Sequence, residues 1–489
     1  MGDSAPSIAE VRDGGRSPVP TTKKVCVVGA GMSGLAAARE LRHEGHAVTV
    51  MEQGSDVGGQ WLYDPRTDAA GGGAAAAPVK VHSSMYASVR LMSPREWMGF
   101  SDFQFVPRPG AGRDGRRYPG HREVFCYLKD FYHAFGLAGV VRLNTKVVHV
   151  GMAPPHEDGD GLPNVKWVVI SVHVEPESRE EGVVAEEVFD AVVVASGHYS
   201  QPKLPTINGM EEWKRRQLHS HSYRVPAPFH DQVVVVVGCG ESGLDLALEL
   251  SGVAREVHLS ANKSMKQTMT PAMSKMLAKY RLRPQVDHLG EDEAAMTPAM
   301  SRMLANHGDM RLHPQVDRLC EDGTVAFADG SRVVADAVIY CTGYTYSFPF
   351  LDAAGLVTVD GNRVGPLYEH VFPPALAPAL SFVGVPMRVF APWVFEAQAR
   401  WVARVLSGGV ALPPVEEMLR AVQERYHAME VAGEPTHYTH VVGREVFEYV
   451  YRISGGVRVR VQDLGSPAHG GLEDRAVLGR HSEHLAVFG

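Results

Sequence analysis

Residues Lys24 to Glu52 read KVCVVGAGMSGLAAARELRHEGHAVTVME. An apolar run ends at Gly29. A helical pattern follows, with Leu35, Ala38 and Leu41 on one face, and Gly45 closes it. A second apolar run then ends in Glu52. Uninterrupted apolar strands of this kind are buried on both faces, as in a parallel sheet covered by helices. Between strand and helix, Gly29, Gly31 and Gly34 are spaced G-x-G-x-x-G. The first glycine permits the tight turn, and the second lets the backbone approach a pyrophosphate. The third lets helix and strand pack closely, with the helix N-terminus turned to the phosphates. Glu52 falls 23 residues after Gly29, where an acid reaches ribose hydroxyls. The glycine spacing alone is weak evidence. Strand, turn, helix, strand and acid in succession predict a dinucleotide site at Gly29, Ala30, Gly31, Met32, Ser33, Gly34 and Glu52.

The pattern returns about 210 residues later as QVVVVVGCGESGLDLALELSGVAREVHLS, Gln232 to Ser260. Gly238, Gly240 and Gly243 repeat the spacing, with Cys239, Glu241 and Ser242 between them. The second strand here ends without an acid, and Lys263 follows. A missing carboxylate and a nearby lysine suit a 2′-phosphate, which favours NADP over NAD, although Lys263 also reads as an ordinary surface lysine. Cys239 reads as a small filler, although a thiol at a helix N-terminus can have its pKa lowered. Two such turns imply two dinucleotides: FAD at the acid-terminated one, NADPH at the other, with hydride passing from nicotinamide to flavin. The expected fold is α/β, with two Rossmann-like domains, an FAD domain carrying an inserted NADPH domain. Further strand-like runs support it: DAVVVASG ending at Gly197, TVAFADG ending at Gly330 and DAVIYCTG ending at Gly343. Residues 1–22 read as a disordered leader, 23–205 with 332–489 as the FAD domain, and 206–331 as the NADPH domain.

The 489 residues carry a net charge of −8 with 45% hydrophobic residues, an ordinary globular composition that excludes a general nucleic-acid or anionic-membrane binder. Five scattered cysteines without a C-x-x-C exclude a disulfide framework and a zinc ribbon, and fit a reducing, cytoplasmic compartment. No apolar run is long enough for a signal or a transmembrane helix. One internal repeat is present. Met269–Asp292 returns as Met296–Asp322 with eighteen of twenty-four positions identical, and the second copy gains Gly308, Asp309 and Met310. Two copies are too few for a solenoid. They read as a tandem duplication in which the first copy is the exposed excursion, because only the second runs directly into TVAFADG.

A disulfide reductase would need a cysteine pair soon after the first unit, and none precedes Cys126. Other segments are more specific: GAGMSG, GGQW (Gly58–Trp61), PREWMGFSDFQF (Pro94–Phe105), YPGHREVFCYL (Tyr118–Leu128), VVASGHYSQPKLP (Val193–Pro205), HSHSYR (His219–Arg224), YCTGY (Tyr340–Tyr344) and RVGPLYEHVFPPALAPALSFVG (Arg363–Gly384). Together they resemble the flavin-containing monooxygenases, particularly the plant glucosinolate S-oxygenase-like branch, from about Lys24 to beyond Gly408. The resemblance implies FAD and NADPH as cofactors. It also implies transfer of one oxygen atom from a flavin C4a-hydroperoxide to the thioether sulfur or amine nitrogen of a small molecule, with O2 as co-substrate. The family fingerprint is an aromatic, any residue, Gly, three residues, His, three residues, then Phe or Tyr. Trp213, His219 and Tyr223 fall on it, and Arg215 stands at the glycine position.

The resemblance makes this segment an interdomain connection that helps hold NADP, its basic residues facing the anionic cofactor. If the glycine position needs a positive φ, Arg215 is strained. A zinc reading of His219 and His221 lacks cysteine or carboxylate partners at ligand spacing, and no metal is expected. Gly59, Gln60 and Trp61 are placed near FAD, and Gly343, with Gly197, at carboxyl ends of strands where ligands sit. His198 reads as structural rather than as a base. The helix expected at Ala391–Gly408 has, in the family, its corresponding end by the flavin ring. In the family's SLRTNLPRE an asparagine steadies the oxygen adduct. This chain reads SVRLMSPRE, with Met92 there, and a thioether donates no hydrogen bond. That motivates two rival expectations, an uncoupled NADPH oxidase releasing H2O2 and a catalytically degenerate flavin-binding protein.

Overall fold

A computed structural model describes residues 22–66, 81–154, 165–174, 182–261 and 310–455. Lys263, the leader and the first repeat copy lie outside the described residues. Two parallel five-stranded sheets organise the chain. The first has the order Leu380–Phe382, Ala191–Val194, Lys24–Val28, Ala47–Met51, Val141–Arg142. Its Val- and Ala-rich strands are buried, as a sheet covered on both faces requires. Helices α1 (Met32–His43), α2 (His121–Ala134) and α4 (Ala391–Leu406) contribute to its core through Leu35, Leu41, Val124, Phe131 and Val402. Helix α1 also meets α4 through the buried Arg39, whose guanidinium binds Glu40 and lies 2.6 Å from Glu396.

The second sheet has the order Met310–His313, Glu256–Ser260, Val233–Val237, Ala337–Tyr340, Arg216–His219, again all parallel. Helix α3 (Glu241–Leu250) packs Leu244, Leu246 and Leu250 into one of its cores. Helices α5 (Val415–Val431) and α6 (Val446–Ile453) follow α4.

Two sequence expectations are corrected. Thr324–Phe327 does not join a parallel sheet. It is the middle strand of an antiparallel trio with Val316–Leu319 and Arg332–Val334, and alternate side chains are buried. Ala337–Tyr340 hydrogen-bonds to Val233–Val237, so the second sheet runs through Tyr340 rather than stopping at residue 331. The chain passes between the two sheets at Gln201–Pro202 and Tyr344–Thr345, and these two crossings pair as a short antiparallel ribbon. The second repeat copy supplies in-register structure: Met310–His313 and Val316–Leu319 come from its C-terminal half. No described helix is long and apolar enough to cross a membrane.

Candidate functional site

Both glycine turns stand at the carboxyl ends of central strands. Gly29 has φ +103°, and a Cβ on Gly34 would lie 1.9 Å from the Gly29 carbonyl oxygen. Gly238 has φ +107°, and a Cβ on Gly243 would lie 1.9 Å from the Gly238 oxygen. The two turns are thus the same device, a left-handed residue followed by a helix seated directly on the turn. They differ at the middle glycine. A Cβ on Gly31 would rest 3.5 Å from the Gly59 Cα, whereas nothing stands within 4 Å of one on Gly240. Gly31 and Gly59 therefore abut backbone to backbone, and Gly240 opens on free space.

Glu52 is buried, with its two carboxylate oxygens accepting the N–H groups of Ala30 and Gly54, each at 2.7 Å. Burial raises its pKa, and these two bonds oppose the rise. The acid thereby ties the turn to the loop that leads to Gly58–Trp61. Gly58 N–H donates to the Ala30 oxygen at 3.0 Å, and Trp61 packs against the first core. Met32 and Ser33 are buried at the start of α1, and the Ser33 hydroxyl donates to the Ala195 oxygen at 3.3 Å. Burial pushes the Cys239 thiol up to about 12, so it is a protonated filler and the lowered pKa is not found. Glu241 and Ser242 are exposed in the first turn of α3.

The cations of the basic segment are engaged by groups of the protein itself. Lys214 pairs with Glu321, while Arg215 donates to the carbonyls of Ala335 at 2.7 Å and Asp322 at 2.9 Å. The Arg216 guanidinium lies 4.5 Å from the Phe229 ring centroid, and Arg224 donates to the oxygens of Asp64, His221, Tyr223 and Ser83. Long cationic side chains here satisfy carbonyls that bends and strand ends leave open. Arg215 also has no positive φ, so the feared strain is absent.

The fingerprint residues are held as an interdomain clip. His219 donates from Nε2 to the Gly343 oxygen and accepts the His221 N–H at Nδ1, both at 3.0 Å. His221 Nε2 bonds the Val81 oxygen at 2.7 Å, and the buried Tyr223 hydroxyl donates to Glu249 at 3.0 Å. Burial lowers the His219 pKa to about 4, so the ring is neutral. Among the described residues, no cluster of His, Cys, Asp and Glu is arranged to hold a metal ion. Gly343 has φ +79° with nothing within 4 Å of a Cβ, and Gly197 at φ +74° is equally open. Met92 is half-buried beside the buried Leu91.

Sequence reasoning missed two residues beside the first turn, Ser196 and Gly384. Ser196 has a buried hydroxyl without a partner among the described residues, and its Cα lies 3.3 Å from where a Gly29 Cβ would stand. Gly384, φ +96°, faces Ser33. Its oxygen accepts His198 Nδ1–H at 3.0 Å and its N–H donates to Gln398 at 2.9 Å. His198 is therefore neutral, its pKa lowered by burial to about 4, which agrees with a structural role. Tyr344 stacks edge-on against His219 and His221. Only YCTGY and the strand ends hinted at these positions.

Two dinucleotide-type turns, each at the carboxyl end of the central strand of a parallel sheet, in a chain whose two crossings pair as a ribbon, define a flavoprotein that also takes a nicotinamide cofactor. The flavin-binding monooxygenase-like family model matches residues 22–270 and 265–460, and this chain belongs to that family. It is 51% identical over 423 residues to flavin-containing monooxygenase FMO GS-OX-like 8 of Arabidopsis thaliana, covering 86% of this chain and 82% of the relative. Arabidopsis FMO GS-OX5 is 42% identical, covering 91% and 85%. The structure of S-allyl-L-cysteine S-oxygenase from Allium sativum superposes with a TM-score of 0.74 at 37% identity, covering 96% of this chain and 100% of that one. The chain is thus a flavin-containing monooxygenase, of a family dependent on FAD and NADPH. The residues present fit both groups. An orphaned Ser196 hydroxyl lies beside the first turn and an unfilled space beside Gly240 in the second.

Proposed function

We propose that this chain oxygenates the sulfur of a small thioether, or the nitrogen of an amine, with NADPH and O2. For sulfur the balance is thioether + O2 + NADPH + H+ giving sulfoxide + NADP+ + H2O. The observation that carries the reading is the pair of matching glycine turns, one on each parallel sheet, in a chain that superposes over 96% of its length on an S-oxygenase. In this reading Gly29–Gly34, Glu52 and Gly59–Trp61 hold FAD in the domain built on the first sheet. Gly238–Gly243, Lys263, His219, Tyr223 and Gly343 hold NADPH in the domain between the two crossings. When bound, the flavin supplies the oxygen-transfer chemistry. The chain orients two cofactors against each other, and neutral imidazoles at His198 and His219 bind the Gly384 and Gly343 carbonyls without adding charge. A cytoplasmic location accompanies this proposal.

The test is an oxygen electrode run with purified holoprotein, NADPH and a thioether. Oxygen uptake should equal sulfoxide formed. Colourless protein with no NADPH-induced thermal shift would instead support a degenerate binding protein. Met92 favours one second reading, an NADPH oxidase whose H2O2 equals NADPH consumed whatever the substrate. Met92→Asn should then raise the sulfoxide-to-peroxide ratio. An unchanged ratio removes Met92 from the mechanism.

A further inference from the structure

Tyr86 belongs to the first domain by sequence and to the second by packing. Residues 81–91 form a strap without helix or extended strand. Its far end is anchored beside the first sheet. Leu91 is buried in the first core and its N–H donates to the Pro119 oxygen at 2.9 Å. The His121 N–H at the start of α2 donates to the Val89 oxygen at 3.0 Å. Ser83 Oγ–H donates to the Gln60 oxygen at 2.6 Å, next to the Gly59 that abuts Gly31 of the first turn. Between these anchors the strap crosses to the second sheet. Tyr86 is buried in the core that holds Leu244, Leu246 and Leu250 of α3. Its hydroxyl donates to Asp245 on α3, and one turn further on the Tyr223 hydroxyl donates to Glu249 at 3.0 Å. The two tyrosine rings meet edge-on, centroids 5.5 Å apart. The backbone is tied as well: Ala87 N–H donates to the Arg224 oxygen at 2.9 Å, and the Arg224 guanidinium to the Ser83 oxygen at 3.0 Å. Burial, with Asp245 beside it, raises the Tyr86 pKa, so the hydroxyl stays a donor. A phenylalanine would fill this space equally well. The hydroxyl is what chooses a point on α3, because a buried tyrosine O–H takes a partner in a fixed direction.

Helix α3 begins at the second glycine turn and is rigid over its ten residues. A bond at Asp245 therefore fixes where that turn stands relative to Gln60 and to Leu91. We infer that Tyr86 is a positioning residue that, through Asp245, sets the second glycine turn against the first and so governs hydride transfer between the two cofactors rather than affinity for either. This rests on the assignment of FAD to the first turn and NADPH to the second made above. The balance of that step is NADPH + H+ + FAD giving NADP+ + FADH2: a nicotinamide C–H bond breaks, its electron pair travels with the hydride to the flavin, and the proton comes from solvent. Such a transfer is sensitive to placement, an error of about 1 Å costing up to about a hundredfold. Affinity is insulated because Gly238 and Gly243 are held by contacts within the second domain.

Oxidised holoprotein is mixed with NADPH in the absence of oxygen, and flavin bleaching is followed in wild type, Tyr86→Phe, Asp245→Ala and the double variant. Tyr86→Phe keeps the ring in the core and removes only the hydroxyl. The limiting reduction rate should fall about tenfold or more in each single variant, with half-saturating NADPH and FAD content unchanged. The double variant should be no slower than the singles, because all three lack the same bond. Asp245→Asn, which keeps an acceptor oxygen, should recover most of the rate. Amide exchange of the cofactor-free protein gives a readout apart from turnover. The Ala87 N–H should exchange faster in Tyr86→Phe, while the strand Val233–Val237 keeps wild-type protection. A lowered melting temperature with an unchanged limiting rate would make the hydroxyl merely structural and overturn the inference. Unchanged rates throughout, additive losses in the double variant, or Ala87 exchange equal to wild type would overturn it too. A wild type that holds flavin but is not bleached by NADPH would instead sink the assignment of the two cofactors, and the inference with it.

Discussion

At the scale of single residues, Gly240 and Arg215 show how different a glycine position and a position that elsewhere holds glycine can be. Gly240 sits at φ −78°, ψ −170°, extended backbone that any residue adopts, with free space where a Cβ would be. The fold itself therefore does not require glycine here, and in the proposed NADPH site the requirement would come from the ligand. Gly240→Ala should therefore leave the melting temperature of the cofactor-free protein unchanged and raise KM for NADPH about tenfold or more, roughly 1.4 kcal/mol of lost binding. A lower melting temperature with unchanged KM would place the constraint in the fold instead. Arg215 reverses the logic. It takes the glycine position of a family fingerprint without a positive φ, and its side chain closes two carbonyls. Arg215→Gly should destabilise the protein by about 1–2 kcal/mol in a denaturant titration, because charge-assisted hydrogen bonds are lost and the chain gains freedom. A variant at least as stable as wild type would show that those bonds contribute nothing.

At the scale of elements, the two strand–turn–helix units were legible because their requirements are local. The apolar run, the glycine spacing and the helix period all lie within thirty residues. The same holds for the buried face of α1 and for Glu52, whose carboxylate braces Ala30 and Gly54. Lys263 and the first repeat copy lie outside the described residues. What escaped the sequence was non-local. Met387 is held by hydrogen bonds to His440 and Val442, and His198 by a carbonyl 186 residues away. Thr324–Phe327 looked like another buried strand, since a four-residue run does not reveal whether one face or two are covered. The cations of the Trp213–Pro226 segment pointed by composition to an anion; by geometry Arg215 and Arg224 serve carbonyls, Lys214 pairs with Glu321 and Arg216 lies over the Phe229 ring. The local units can be separated experimentally. Gly34→Ala and Gly243→Ala each drive a methyl into a backbone oxygen. Gly34→Ala should purify without flavin. Gly243→Ala should stay yellow, be bleached by dithionite and resist NADPH. Loss of flavin in both would mean that the two turns do not divide the cofactors as proposed.

At the scale of the whole molecule, the cleft and the sheets are stitched by imidazoles that folding keeps neutral. His198, His219 and His258 have pKa values lowered to about 4, and His440 to about 3, with burial the largest cause in each. His258 bonds His313 at 2.8 Å, and His440 bonds His370 at 2.9 Å, so protonating both rings of either pair replaces a hydrogen bond with repulsion. In the unfolded chain each ring takes its proton near its ordinary value of about 6.5. Above that pH both states are neutral and the histidines cost the fold nothing. As pH falls below about 6.5 the unfolded state binds more protons and stability drops. Each ring contributes a slope approaching about 1.4 kcal/mol per pH unit until the folded value near 4, where its contribution levels off. Salt-bridged carboxylates held below their usual range, such as Asp114 and Glu187, add their own losses only at lower pH. The expected result is a melting temperature steady from pH 8 to 7 that falls steeply between pH 6.5 and 5, measured with excess FAD so that cofactor dissociation does not set the trend. His258→Gln, which removes one titrating ring and its charge coupling to His313, should make that fall shallower. A melting temperature level from pH 7 to 5 would mean that the rings are protonated or hydrated in the folded protein.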